Sequence, residues 1–448
     1  MASITAAARE VKCQGASFIT EALVRSACAA AGHRWRRRVL GPAQTLQLFV
    51  LQVLGGNVAC RAVAHLADAA CTPQAYCAAR MRLPTDVFGH VAAALTRAAR
   101  RRTAGFGRWC GHRVLHVDGS GLSMPDTPAL QKAYGRPQRG ERPGFPVMHV
   151  LWLFDAATGL ICDFIVSPWH THDMAHASKL HAAMTPGDVL VGDRAFGSFV
   201  HLALLLQANL HGVFRLHQRQ IVDFTPGRKH QRRRRKADRK GAPTSRWVAS
   251  LGDRDQLVEY FKPTTRPTWM SADDFAQRPA AITVRELQYT IARPGFRTTR
   301  VTLVTTLLDP RRYTRDALAE LYHARWRIEI NLRHLKQTMK MDVLRSTTRD
   351  GVLKELWVYL IVYNRVRLVM LDAAARQGVE PDRISFIDTL DALRYHPADV
   401  PRLRLAVNPH RPGRHEPRVI KRSRDRYPMM TRPREQLRQT LGIVRLVA

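Results

Sequence analysis

Between positions 321 and 336 the chain reads Leu-Tyr-His-Ala-Arg-Trp-Arg-Ile-Glu-Ile-Asn-Leu-Arg-His-Leu-Lys. Arg325, Glu329 and Lys336 lie three, seven and fourteen positions beyond Tyr322. At about 100° per residue these offsets fall within a sector of roughly 60° on a helix. The spacing predicts that one carboxylate, two cations and a phenol share a narrow stripe, with Arg333 on the same face. A lone acid among bases, all facing one way, suits a group that holds a metal ion while its neighbours hold phosphates. Taken alone, the same stripe could be a surface ladder of ion pairs.

Two further acids change that reading. Asp118 follows the apolar alternation of residues 112–117, and Asp193 closes the short apolar run Asp188-Val-Leu-Val-Gly-Asp193. Both are expected at strand ends, where carboxylates can converge beside a helix. A single Asp there is more often a turn former, and Asp118-Gly119 is a favoured turn dipeptide. With Glu329, however, Asp118 and Asp193 make an oxygen-ligand set suited to Mg²⁺, which keeps several waters and bridges to substrate phosphates. Two such ions about 3.5 to 4 Å apart can activate a water or a 3′-hydroxyl and stabilise the leaving oxygen. A rival cluster, His170, His172, Asp173 and His176, lacks the glutamate of the HExxH zinc motif and reads as a polar loop opening a helix. Ser120 and Ser123 have no defined base partner in the sequence, which argues against a nucleophile pair.

The elements that must position these residues can be read from composition and periodicity. The 448 residues allow a large core and two to four structural units. Lys and Arg total 71 against 36 Asp and Glu, a net charge of +35, which implies a polyanionic partner, nucleic acid before an anionic membrane surface. Seven cysteines without a CxxC pair argue against a disulfide framework or a structural zinc site and for a reducing, cytoplasmic setting. Neither a signal peptide nor a membrane span is expected.

Residues 1–105 read as helical and largely self-contained. Pro42 to Leu54 has apolar residues at helical spacing. Residues 60–70 and a helix opened by Thr72-Pro73, which carries Gln74, Tyr76, Arg80 and Arg82, resemble a helix-turn-helix. Arg34, Arg36, Arg37 and Arg38 precede them. Residues 106–217 give strands near 112–117, 146–154, 160–166, 188–193 and 212–216. Helices are expected over 173–184 and 198–208, so this part is α/β with a mixed sheet. Residues 218–300 break the pattern. A basic run, 228–240, is a solvated arm able to order on phosphates, and short alternating segments follow it, predicting a β-rich insertion. The segment 301–375 resumes with a strand, the helix bearing the stripe and a further helix near 352–377. Residues 376–448 are basic and end in an Arg/Pro-rich tail.

With these residues in view, the chain resembles the DDE transposases of bacterial insertion sequences, in the branch named for insertion sequence four. Tyr322, Arg325, Glu329 and Lys336 match the branch signature of Tyr, two residues, Arg, three residues, Glu, six residues, Lys. Gly192-Asp193-Arg194-Ala195-Phe196-Gly197 and His116-Val117-Asp118-Gly119-Ser120 match the contexts of the first two acids, with alanine at 195 where glycine is frequent. The resemblance covers roughly 110–345. It implies an RNase H-like mixed sheet interrupted by the β-rich insertion, behind an N-terminal helical DNA-binding domain. It implies that Asp118, Asp193 and Glu329 bind Mg²⁺, for which Mn²⁺ can substitute, and carry catalysis. Tyr322, Arg325, Lys336 and Arg333 would contact DNA. The implied partners are double-stranded terminal inverted repeats and target DNA, held by a homodimer in a synaptic complex at the bacterial nucleoid, with no membrane. Some relatives stack a flipped base on a tryptophan of the insertion; Trp247 and Trp269 are candidates, and both also suit a core position. The alternatives are a stand-alone metal-dependent nuclease on the same fold, or a domesticated DNA-binding protein without chemistry.

Overall fold

The computed structural model of the chain describes residues 18–36, 38–63, 71–139, 142–217, 220–230, 243–291, 300–396 and 399–409. All of these except Ile291 belong to one contact unit, Met1–Thr290 with Arg300–His410; the second unit is Ile291–Thr299 with Arg411–Ala448. Arg37, positions 231–240 of the basic run, positions 64–70 of the expected helix and the tail beyond 409 lie outside the described residues.

Nine strands of the first unit form one mixed sheet. In chain order they are β1 (Val114–Ser123), β2 (Val147–Asp155), β3 (Ile161–Pro168), β4 (Val189–Gly192), β5 (His211–Arg215), β6 (Arg246–Gly252), β7 (Asp255–Phe261), β8 (Ala281–Thr290) and β9 (Arg300–Thr305). Their spatial order is β3-β2-β1-β4-β5-β9-β8-β7-β6. β1, β4 and β5 run parallel, and every other neighbouring pair is antiparallel. The segment between 218 and 300 therefore continues the sheet past β9 instead of building one of its own.

β4 is buried at all four positions, as a central parallel strand covered on both faces must be. Alternation along β1 assigns its two faces. Leu115 and Val117 join the core that also holds Leu202 and Leu205 of a helix over Phe199–Gln207. Leu122 joins the opposite core, so His116, Asp118 and Ser120 share that second face. Here lie helices α1 (Glu21–Ala30), α2 (Pro42–Leu54) and α5 (Thr85–Arg102), with α3 (Cys60–Val63) and α4 (Pro73–Arg82) between α2 and α5. A long helix over Arg349–Gln377 lies between these helices and the sheet; Val24, Phe49, Phe88, Tyr359 and Trp152 all belong to one core. The helices before residue 105 thus do not close a core by themselves, because their apolar faces are completed by the long helix.

That helix is firmly bounded. Thr348 caps it by accepting from the Gly351 N–H at 3.1 Å, and Gly378 ends it with φ 64°. Midway, Asn364 accepts from the Ile161 N–H at 2.8 Å and donates to the Ile161 carbonyl at 2.9 Å, pinning helix to β3. No helix among the described residues is long and apolar enough to cross a membrane.

Candidate active site at the ends of two parallel strands

β1 and β4 pair in parallel register with His116 opposite Val191. Two residues further along each chain are Asp118 and Asp193, so the register carries both acids to the same level of the sheet. β1 does not end at Asp118, as the Asp-Gly dipeptide predicts. It continues to Ser123, because β2 pairs with it as far as Ser123↔Val147. Beyond that, the Ser123 N–H donates to the Asp342 carbonyl at 3.0 Å and its carbonyl accepts from Leu344 at 2.9 Å. Tertiary pairing overrides the local turn preference. Asp193 does lie just past a strand, where its Oδ1 accepts from the Ala195 N–H at 2.8 Å.

Glu329 reaches this region from above β1, but not along one regular helix. Residues Arg315–Ala324 form one helix and Arg327–Arg333 a second. The joint is wound tightly: Arg325 N–H bonds Tyr322 O at 3.2 Å, Trp326 bonds His323 at 3.2 Å, and Glu329 bonds Trp326 at 3.1 Å. Each is an i to i−3 bond. A wide π turn over His334–Thr338 follows. The predicted single stripe is corrected accordingly. Arg325 still meets Glu329 at 3.5 Å, with its guanidinium 5.7 Å from the Tyr322 ring centre. Lys336 instead sits on the π turn and donates from Nζ to the Gly121 carbonyl of β1 at 2.9 Å. Arg333 is exposed on the second helix.

Electrostatics bind these pieces into one neighbourhood. The Asp118 carboxyl is pushed up to about 6, chiefly by burial and further by the Asp193 and Glu329 charges, against the pull of Arg325 and its bond from the Gly119 N–H at 2.9 Å. Burial also raises the Tyr322 phenol, with Arg325 and Arg215 opposing and Asp193 adding to the rise. On the Asp118 face, His116 is buried and held down to about 3 by desolvation and by Arg325 and Arg327. His116 Nε2 and the Ser120 hydroxyl are both buried without a hydrogen-bond partner. Among the described residues no three His, Cys, Asp or Glu side chains are drawn together tightly enough to enclose a metal ion. The acids converge; they do not close.

The same holds for the rival histidine cluster. Residues 173–184 form two 3₁₀ pieces, Asp173–Ala175 and Ala177–Ala183, instead of one α-helix. His172 accepts from the Met174 N–H at 3.3 Å as a cap, consistent with the polar-loop reading. Asp173 leaves that cluster and pairs with His149 of β2 at 3.0 Å. The sequence reading missed this pair, and Arg215 beside Tyr322, because each contact joins residues far apart in the chain.

Elsewhere the expected DNA-reading side chains divide. Thr72 caps α4 by accepting from Ala75 at 3.1 Å, as predicted. Tyr76 is buried and donates to Gln52 at 2.8 Å, while the Arg80 guanidinium lies 3.6 Å from the Phe49 ring centre. These two tie α4 to α2, leaving Gln74 and Arg82 exposed. Trp269 is packed against the core and Trp247 is half-buried on β6.

The profile of the family described as "Transposase DDE domain" matches residues 109–365, more than half of the chain. The chain belongs to that family. It is a DNA transposase of the insertion-sequence-four branch, an enzyme that uses divalent metal to cleave and transfer DNA. The transposase is 25% identical over 380 residues to transposase InsG for insertion sequence element IS4 of Escherichia coli (strain K12), covering 80% of this chain and 78% of that one. Among solved structures it is similar to a piggyBac transposase synaptic complex with hairpin DNA, at TM-score 0.39 and 10% identity over 86% of this chain and 79% of that one. It is also similar to a Mos1 transposase paired-end complex with the left transposon end, at TM-score 0.17 and 12% identity over 40% and 60%.

Proposed function

We propose that this transposase cleaves at the terminal inverted repeats of its own element and joins the freed 3′ ends to target DNA, with Asp118, Asp193 and Glu329 as the catalytic acids. One observation supports the reading: the β1–β4 register carries Asp118 and Asp193 to one level, and the Glu329 charge acts on Asp118 from the helix over Arg327–Arg333. The strand order β3-β2-β1-β4-β5, with β2 and β3 antiparallel to their neighbours, supports an RNase H-like core.

The donor set fits a divalent cation. Its atoms are carboxylate oxygens, the choice of Mg²⁺ or Mn²⁺. Arg325 lies near both Asp118 and Glu329, and the Asp118 carboxyl is raised chiefly by burial, with the Asp193 and Glu329 charges adding to the rise. The orphaned Ser120 hydroxyl on the same face adds an unsatisfied polar oxygen. Asp118, Asp193 and Glu329 would hold Mg²⁺, which supplies Lewis-acid activation of the attacking oxygen and charge stabilisation at the leaving one.

The chain's own groups do the remainder. Arg325 holds Glu329 in place until DNA enters, then offers its guanidinium to a phosphate; Tyr322, Lys336 and exposed Arg333 contact the backbone near the cleaved end. The N-terminal helices, with exposed Gln74 and Arg82, bind the repeat. Two copies hold two ends in a synaptic complex. The test combines purified protein, DNA carrying the repeats, and Mg²⁺. Strand transfer is expected, and it is lost in Glu329→Gln with DNA binding retained. Cleavage of arbitrary DNA without joining would instead identify a nuclease. Unchanged strand transfer in that variant would remove Glu329 from the site.

A further inference from the structure

On the face of β1 opposite Asp118, Gly119 lies beneath a His–Asp contact from two other segments. His149 comes from β2, where it stands opposite Gly121. Asp173 comes from the start of the first 3₁₀ turn after β3. His149 Nε2 and Asp173 Oδ1 lie 3.0 Å apart, with the side chains only 19% and 25% exposed. A Cβ placed on Gly119 would stand 2.8 Å from each of these two atoms, closer than any side chain tolerates. A side chain at 119 would therefore have to displace the ends of His149 and Asp173, so glycine there lets the pair sit against the strand.

The contact continues through the sheet. The Gly119 N–H donates to Asp118 Oδ1 at 2.9 Å. Among the described residues the Asp118 carboxylate accepts no other hydrogen bond, so it is only as fixed as that peptide. The Asp173 carboxylate also lies close enough to Asp193 to feel its charge. The pair thus touches the backbone that orients one catalytic acid and the field of the other.

We propose that His149 and Asp173 act together as positioning residues: their close contact braces the Gly119 peptide and so fixes the Asp118 carboxylate for the divalent ion. The inference rests on the reading of Asp118 and Asp193 as ion-holding acids. His149 directs Asp173 onto Gly119, and Asp173 in turn holds the imidazole against the strand. Removing either partner frees the peptide, so the two losses are one event and do not add.

The experiment measures Mn²⁺ binding by electron paramagnetic resonance on the full-length chain, alone and with a DNA duplex, alongside unfolding temperature. Asp118→Asn is the control and is expected to lose the site. His149→Ala and Asp173→Asn are each expected to raise the half-saturating Mn²⁺ concentration about tenfold, the scale seen when groups orienting metal ligands are removed. The double variant should be no weaker than the worse single, and His149→Gln, which keeps a donor, should bind nearly as the parent does. If Asp118→Asn weakens binding while the pair variants stay within about twofold of the parent, or their losses add, the pair has no positioning role. If the weakening tracks the unfolded fraction and His149→Gln shows it equally, the role is structural only and the proposal falls. If Asp118→Asn itself changes nothing, the parent reading of the site fails, and this one with it.

Discussion

The two ends of the β1–β4 pairing hold acids against the same neighbouring strands and treat them in opposite ways. At the amino end, Arg113 bonds Asp155 at 2.7 Å and reaches Asp188 at 3.5 Å. Asp155 also accepts from Thr158, and Asp188 accepts from the Thr185 N–H at 2.9 Å. His112 there uses both ring nitrogens, on the Gly187 carbonyl at 2.6 Å and the Tyr313 hydroxyl at 2.7 Å. At the other end, Asp118 and Glu329 both lie near Arg325, burial drives the Asp118 carboxyl up, and His116 Nε2 and the Ser120 hydroxyl are buried without a hydrogen-bond partner. Burying charge is tolerable only when it is paired. The balanced end secures the sheet. The unbalanced end keeps an electrostatic demand that a cation can meet, and such demands cluster where chemistry is done.

The sharpest way to break this contrast is to neutralise one acid at each end. Asp118→Asn, Asp193→Asn or Glu329→Gln should lower strand cleavage on the order of 10³-fold or more, the scale of removing one essential group from a cooperative site. Stability should be unchanged or higher, as read by thermal unfolding. Arg113→Ala should do the reverse. It strands two largely buried carboxylates, at a cost of about 3–5 kcal/mol in denaturant unfolding, with Mn²⁺ affinity of the folded protein retained. Equal effects at both ends would dissolve the distinction.

Proton linkage gives a smaller, graded effect. Because the folded-state Asp118 carboxyl, at about 6, lies above its ordinary 3.8, the folded chain binds the extra proton between those values. Metal-free stability therefore declines as pH rises through that window, and levels off above it. Asp118→Asn should abolish this slope, so variant and parent converge at low pH and separate near neutrality. Mn²⁺ affinity should weaken as pH falls through about 6, since the ion competes with that proton. The smallest expected effect is Thr348→Ala, which removes the cap of the long helix far from the acids. Its cost should be about 1 kcal/mol of stability, with cleavage per folded molecule unaffected.

Much of this site was legible because its acids punctuate apolar runs whose periods are unambiguous. Val189–Gly192 is short, apolar and buried throughout, so Asp193 could be placed at a strand end directly. Asp118 was misplaced for a physical reason. Asp-Gly-Ser-Gly has the local chemistry of a turn, and only cross-strand pairing to Val147 and the contacts of Ser123 keep it extended. The break at Arg325–Trp326 carries no Pro or Gly to announce it. Nor does the sequence show that His149 meets Asp173, 24 positions away, across a glycine from a third segment. Helical spacing correctly grouped Tyr322, Arg325 and Glu329, and failed at Lys336, where the pitch changes.

That change of pitch has a genetic consequence. A π turn holds one residue more than an α-helix of the same span, so the stretch 334–338 is sensitive to codon number as well as to codon identity. Losing a single codon there would let the backbone relax into ordinary α pitch over the same span, so the segment beyond would keep its place while the residues within the turn are re-aimed. Lys336, inside the turn, would leave Gly121, while Asp342 beyond it would keep its bond to Ser123. An in-frame deletion of three nucleotides could thus tidy the helix and silence the element that encodes it.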